Sequence, residues 1–105
     1  MPTINEPQNG DTVDPSDIPI DVKTAGEDAW CCIFITAPGD PGDVLAGPFN
    51  RQASGNVLQT DLDIGDEVSG NVDLYVCESA GEGCDPKPDP QQCPHVSIVV
   101  KEGGK

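Results

Sequence analysis

Apolar and polar residues alternate with a period of two in several separate parts of the chain, and this pattern restricts the fold more than any other feature. In the segment 17–24, for example, Ile18, Ile20 and Val22 fall on one side and the residues between them on the other. Such alternation is typical of a β-strand with one face in a core and the other in water. Turn sequences rich in Gly, Pro, Asn and Asp separate these segments, and no long segment carries the 3.6-residue apolar period of a helix. The pattern predicts an all-β protein.

Strands at this spacing, without helices between them, favour an antiparallel sandwich of about seven strands. The length of 105 residues allows one core, so we expect a single domain over residues 1–105. The stretch 43–53 is a candidate for a short additional edge strand. The predicted strands lie near residues 3–6, 12–13, 17–24, 29–37, 56–63, 70–78 and 95–102. The predicted core contains Trp30, Phe34, Leu62, Leu74, Val76 and Ile98.

The charge is strongly negative, with five Lys plus Arg against 19 Asp plus Glu and a net charge of −14. Such a chain repels phosphate backbones and anionic lipid, which argues against binding to nucleic acid. No apolar run approaches the roughly 20 residues of a membrane span, so membrane insertion is not expected. The first residues, "MPTINEPQNG", lack the basic start and apolar stretch of a secretory signal. Either a signal was removed, or the protein reaches its destination without one.

The acidic residues raise the question of calcium, because carboxylate oxygens are the ligands that Ca²⁺ prefers. None of the acidic pairs matches a defined calcium loop, so we favour their interpretation as solvated turns and expect no cofactor. The sequence also lacks a phosphate-binding loop and a convincing nucleophile–base set, which favours a non-enzymatic protein. The acidic pairs concerned are Asp40/Asp43, Asp61/Asp63 and Asp66/Glu67.

Three segments carry a resemblance to a known family. The order of "PTINEPQNGDTV", "DIPIDVKTAG" and "AWCCIFITAPG" resembles the start of bacterial Ig-like domains, and "VSGNVDLYVCESAGEGC" followed by "VSIVV" resembles their last hairpin. The resemblance implies an Ig-like antiparallel β-sandwich and a role on surfaces, but no activity. The run Tyr75-Val76-Cys77 also resembles the Tyr-x-Cys of antibody-type domains. However, "IPIDVKTAG" has no cysteine, so the inter-sheet disulfide of those domains cannot form.

The resemblance implies that all five cysteines lie at one pole, because strand C of an Ig-like sandwich runs antiparallel beside strand F. Disulfides are the favoured interpretation, with Cys84–Cys93 first and Cys31–Cys77 second. This pairing assumes that Trp30, Cys32 and Phe34 face the core, which leaves Cys32 as a buried free thiol. A Cys77–Cys93 bridge is the alternative. The five cysteines are Cys31, Cys32, Cys77, Cys84 and Cys93.

Two other interpretations of the cysteines are weaker. A zinc site would use several thiolates with His95, but the CxxC spacing that usually fixes two thiolates on one metal is missing. A catalytic thiol would need a base or a positive charge beside it, and the acidic surroundings would raise its pKa. We therefore expect no metal site and no catalytic cysteine.

The stretch "WCCIFI" is apolar at every position, so both of its faces need cover. With the assumed orientation, Ile33 and Ile35 face outward beside Tyr75 and Val99. An exposed apolar patch of this kind predicts an interface with a protein partner. The alternative is that the region Asn50–Ser54 folds over the patch.

Two functions remain open at this point. The first is a stand-alone Ig-like domain that decorates a larger assembly, such as a phage capsid or tail, and therefore lies on the virion surface. The second is an extracellular spacer or adhesion module of a secreted bacterial surface protein or enzyme. A small thiol or zinc protein is a third and weaker hypothesis.

Overall fold

The computed structural model describes residues 2–79, 81, 83–84 and 87–102. Within these residues the protein is all-β, with eight strands and one 3₁₀ turn at Pro90–Gln92, so the prediction of an all-β protein is confirmed, with one strand more than the seven expected. The segment 43–53, predicted as a short edge strand, does lie at a sheet edge, but it belongs to the longest strand, β5. The strands are β1 (Thr3–Glu6), β2 (Thr12–Val13), β3 (Ile18–Lys23), β4 (Trp30–Ala37), β5 (Asp40–Gln52), β6 (Val57–Leu62), β7 (Gly70–Glu78) and β8 (His95–Val100).

The strands form two sheets. One has three antiparallel strands in the order β1-β3-β6, and the other has five in the order β2-β8-β7-β4-β5. The five-stranded sheet is mixed because β2 runs parallel to β8, with Thr12 opposite Val99. The prediction of a purely antiparallel sandwich is therefore wrong at this edge. The reason is that the chain leaves the first sheet after β1 and joins the second at its edge, where the Val99 N–H donates to the Asp11 carbonyl at 2.8 Å.

The main core lies between the two sheets. Four of the residues predicted for it are there and buried, namely Leu62, Leu74, Val76 and Ile98. Burying one such side chain contributes about 1.5–3 kcal/mol relative to exposure, so each of these four residues stabilises the fold substantially. The core also contains residues of β3, at Ile18, Ile20 and Val22.

The orientation of β4 is opposite to the one expected. Cys31, Ile33 and Ile35 face the core, whereas Cys32 and Phe34 belong to a separate cluster on the outer side of the five-stranded sheet. The register with β7 fixes this orientation, because it places Ile33 opposite Val76 and Ile35 opposite Leu74. The sequence could not reveal this, since every residue from 31 to 35 is apolar.

Two residues predicted for the main core therefore lie elsewhere. Phe34 is fully buried, but it is buried in the outer cluster. Trp30 stands at the first position of β4 and is only half-buried. Its parity is that of Cys32 and Phe34, so it belongs to the outer side of the sheet.

A glycine in β5 allows a close approach between β4 and β5. Gly47 has a φ of 101°, and a Cβ atom built on it would lie 2.5 Å from the carbonyl oxygen of Ile33. The ladder between β4 and β5 is also irregular on both sides of the Ile35–Ala46 pair. Only glycine combines this backbone conformation with this contact.

Candidate functional site

The described residues of the segment 79–94, which joins β7 to β8, lie across part of the outer face of the five-stranded sheet. Four residues of that face are buried, namely Cys32, Phe34, Tyr75 and Cys77. Cys84 and Cys93 from the segment pack against them, together with Val44 of β5. We call these residues the outer cluster and the segment 79–94 the clamped loop.

Two disulfides attach the clamped loop to the sheet. Cys32 of β4 is bonded to Cys84 with a Cα–Cα distance of 5.9 Å, and Cys77 of β7 is bonded to Cys93 with a distance of 5.3 Å. The bridges span 52 and 16 residues of sequence. By loop-closure entropy they stabilise the folded state by about 4 and about 3 kcal/mol respectively. The loop is therefore fixed to two neighbouring strands.

The observed pairing differs from the expected one. Neither Cys84–Cys93 nor Cys31–Cys77 forms, and the alternative pairing Cys77–Cys93 is present. The cause is the orientation of β4, which places Cys32 and not Cys31 on the same face as Cys77. Cys32 and Cys77 are direct cross-strand partners. Cys84 then bonds Cys32, and Cys31 remains a free thiol.

The free thiol lies in the main core. Burial, with a smaller contribution from the negative charge of Glu78, raises the pKa of Cys31 to about 11. The thiolate is the reactive form of cysteine, and at neutral pH it is almost absent here. Cys31 therefore behaves as a small apolar core residue.

Several further contacts order the clamped loop and the strand that follows it. The Lys87 ammonium lies 5.8 Å from the centroid of the Phe34 ring, a distance suited to a cation–π interaction. Asp89 caps the 3₁₀ turn by accepting the Gln91 N–H at 3.0 Å. At the start of β8 the His95 ring stacks on Tyr75 with a centroid distance of 4.7 Å. Burial, followed by the charges of Asp73 and Asp40, raises the pKa of Tyr75.

The predicted apolar interface is not present. Ile33 and Ile35 are fully buried in the main core, Tyr75 is buried in the outer cluster, and Val99 is half-buried. The clamped loop covers the part of the outer face that the outer cluster forms, through Cys84 and Cys93. The region Asn50–Ser54 does not cover it, because its first residues belong to β5 and pair beside β4 in the same sheet.

A groove of about 510 Å³ lies between the clamped loop and the connection from β3 to β4. We call it the loop groove. Glu78 links the two sides of the groove, because its two carboxylate oxygens accept the N–H groups of Ala25 at 2.9 Å and Gly26 at 3.0 Å. The disulfide Cys77–Cys93 forms part of the lining. Other lining residues are Pro2, Ala25, Pro88, Asp89, Gln92 and Pro94.

Two of the acidic residues considered as calcium ligands accept hydrogen bonds within their own turns. Asp40 accepts the Gly42 N–H at 3.1 Å, and Asp63 accepts the Gly65 N–H at 2.9 Å. Within the described part of the chain, no group of three or more His, Cys, Asp or Glu residues is arranged to hold a metal ion. Asp43, Asp61, Asp66 and Glu67 are exposed.

Two neighbouring carboxylates repel each other at one edge of the three-stranded sheet. The negative charge of Asp61 raises the pKa of Asp17, with smaller contributions from desolvation, a hydrogen bond to Asp61 and the charge of Asp14. Hydrogen bonds from the Ser16 backbone and hydroxyl lower the pKa of Asp14. These groups are fully exposed, so they report local electrostatics and do not form a site.

The loop groove and the covering role of the clamped loop were not predicted. The usable signal was the length of the segment between β7 and β8, which carries two cysteines and several prolines.

Among residues 2–79, 81, 83–84 and 87–102, there is no helix with the length and apolar character that a membrane span needs. No protein-family model and no curated protein matches the sequence.

Proposed function

We propose that this chain is a non-enzymatic binding module, an Ig-like domain that docks through its clamped loop onto a protein partner in a larger assembly. The observation that carries the proposal is the attachment of the loop to β4 and β7 by two disulfides. Connections of this length are uncommon in compact domains unless they have a function. Loops held on a rigid scaffold are also where binding residues concentrate.

The strand order supports the Ig-like assignment. β1, β3 and β6 stand in the positions of strands A, B and E, and β4, β7 and β8 in those of C, F and G. β5 occupies the place beside C that variable-type domains fill with an additional strand. On this assignment the clamped loop is the F–G loop, which in variable domains belongs to the binding end of the sandwich.

The chemistry of the cysteines supports a non-enzymatic role outside the reducing cytosol. Two disulfides are typical of an oxidising destination, which suits a virion surface or an extracellular location. The free thiol Cys31 is buried in the core and cannot meet a substrate. The first context that we propose is decoration of a phage capsid or tail.

The path of the chain favours a second candidate, an extracellular spacer or adhesion module in a secreted bacterial surface protein or enzyme. β1 starts beside the loop groove, where Pro2 is part of the lining and Thr3 pairs with Lys23. β8 ends at the opposite pole, where Val100 pairs with Gly70. A chain that enters at one pole and leaves at the other can be joined end to end with similar domains.

Site-specific photo-cross-linking in the native assembly tests the proposal. A photo-reactive residue at Gln92 probes the clamped loop, and the same residue at Gln59 on the exposed side of the three-stranded sheet is the matched control. We expect one protein to be captured through position 92 and not through position 59. Capture through position 59 alone would contradict the proposed binding pole, and capture through neither position would favour the spacer.

A further inference from the structure

We infer that the loop groove receives an arginine side chain from a basic segment of the protein partner. The inference rests on the proposed function, since it assigns the chemistry of the partner at the same pole. The lining combines apolar and acidic residues: Pro2, Pro88 and Pro94 together with Glu78 and Asp89. An arginine matches both parts, because it has an apolar stem and a cationic planar end.

The size and stiffness of the groove suit a single anchoring side chain with its flanking backbone. A volume of about 510 Å³ falls in the ordinary range of ligand sites, roughly 300–1,000 Å³. Proline rings and a disulfide have few rotamers to lose, so little ordering is needed when a partner binds. Arginine is also among the residues that most often dominate the energy of protein interfaces.

The two carboxylates are oriented by hydrogen bonds within the protein. Each oxygen of Glu78 accepts one backbone N–H, and one oxygen of Asp89 accepts the Gln91 N–H. Each carboxylate oxygen has a second lone pair, so both groups can still accept hydrogen bonds from a guanidinium. The preorganised direction of these carboxylates favours a planar donor over a flexible ammonium.

The charge distribution selects a basic partner. Lys87 is the basic residue of the clamped loop. Its ammonium lies over the Phe34 ring, and Lys87 is not among the residues that line the groove. A second copy of this chain would carry the same net charge of −14 and only one arginine, Arg51. Phosphate and anionic lipid would be repelled by the same charge.

The test uses N-acetyl-arginine methylamide as the probe and N-acetyl-citrulline methylamide as its neutral counterpart. Both are titrated into the intact ¹⁵N-labelled protein, and the amide signals of Ala25, Gln92 and Cys93 are followed. We expect saturable shifts with the arginine probe and affinity for the citrulline probe that is weaker by roughly threefold, the ratio that a partly exposed ion pair supplies. Addition of salt should weaken the binding of the arginine probe only.

Asp89→Asn is the diagnostic variant. Asparagine is as good an N-cap as aspartate, so the 3₁₀ turn is kept while the negative charge is removed. Asp43→Asn removes the same charge from an exposed position outside the groove and is the control. We expect affinity for the arginine probe to fall roughly threefold in Asp89→Asn and to stay unchanged in Asp43→Asn.

Three results would overturn the inference: equal affinity for the two probes, unchanged affinity in Asp89→Asn, or an equal loss in both variants. The proposed function is tested separately, because capture of a partner through Gln92 does not require an arginine in the groove. A partner captured at Gln92 together with no arginine preference would refute the inference and support the function. An arginine preference with capture only at Gln59 would do the reverse.

Discussion

Cys31 and Cys32 are consecutive in β4, yet their side chains lie on opposite sides of the five-stranded sheet. Cys31 is a free thiol in the main core, and Cys32 is bonded to Cys84 in the outer cluster. This relationship fixes the clamped loop in place, because the Cys32 thiol faces the loop and bonds to it, whereas the Cys31 thiol packs in the main core. The opposite orientation of β4 would exchange the two thiols, with Cys31 on the outer side and Cys32 in the main core.

The reactivity of Cys31 follows from its burial. With a pKa of about 11, only about a thousandth of this thiol is ionised at pH 8 in the folded protein. We therefore predict that native protein is not alkylated by iodoacetamide at pH 8 within an hour, whereas unreduced protein in denaturant takes up one label. Rapid labelling of the native protein would show that the thiol is accessible.

The orientation of β4 also predicts the effect of shortening its core residues. Ile33→Ala should lower the free energy of unfolding by about 2–5 kcal/mol, because Ile33 is fully buried in the main core. Leu45 of β5 is 45% exposed, so Leu45→Ala is the control and should change stability by less than about 1 kcal/mol. Denaturant unfolding measures both. Equal effects of the two variants would contradict the assigned faces of β4.

Gly47 provides a test of the contact between β4 and β5. Gly47 has a left-handed backbone conformation, and Gly47→Ala adds a Cβ atom 2.5 Å from the Ile33 carbonyl oxygen. We expect this variant to lower the free energy of unfolding by about 2 kcal/mol or more. Gly10 also has a positive φ, but nothing lies within 4 Å of an added Cβ atom. Gly10→Ala should therefore lower the free energy of unfolding by only about 1 kcal/mol, through backbone strain. Thermal unfolding compares the two variants, and a smaller loss at Gly47 would refute the close approach.

The alternation of residues predicted much of the fold. It located β3, β6, β7 and β8, whose apolar and polar faces differ in the sequence. It could not orient β4, because Cys31 to Ile35 are apolar on both faces and the register with β7 decides which face is inward. The wrong disulfide pairs and the wrong interface both follow from that single error. The cover provided by the clamped loop is a long-range contact that no local pattern encodes.

The pair Asp17 and Asp61 predicts a dependence of stability on pH. The repulsion raises the pKa of Asp17 in the folded state, so its charged form destabilises the fold above that pKa and the effect is relieved as pH falls through it. Asp17→Asn should therefore raise the melting temperature at pH 7. The gain should shrink as pH falls and should be absent below about pH 3, where Asp17 is protonated in both folded and unfolded protein.

Asp43→Asn is the control for the pH experiment, because it removes one charge from an exposed position elsewhere on the surface. An equal gain at pH 7 in both variants would show that the net charge of −14, and not the Asp17–Asp61 pair, is responsible. A gain in Asp17→Asn that persists unchanged at pH 3 would also contradict the assignment.

The disulfide connectivity is the most direct test of the clamped loop. Unreduced protein is digested with proteases that cleave after glutamate and before aspartate. Cuts after Glu78 and Glu82 and before Asp85 and Asp89 separate Cys77, Cys84 and Cys93 into different peptides. Fragmentation between Cys31 and Cys32 then identifies which of the two is bonded.

We predict that mass spectrometry of this digest finds Cys32 bonded to Cys84, Cys77 bonded to Cys93, and the alkylation label on Cys31. That result would establish that the loop is attached to both β4 and β7. A Cys84–Cys93 bridge would contradict it, because the loop would then be closed on itself and would not be fixed to the sheet.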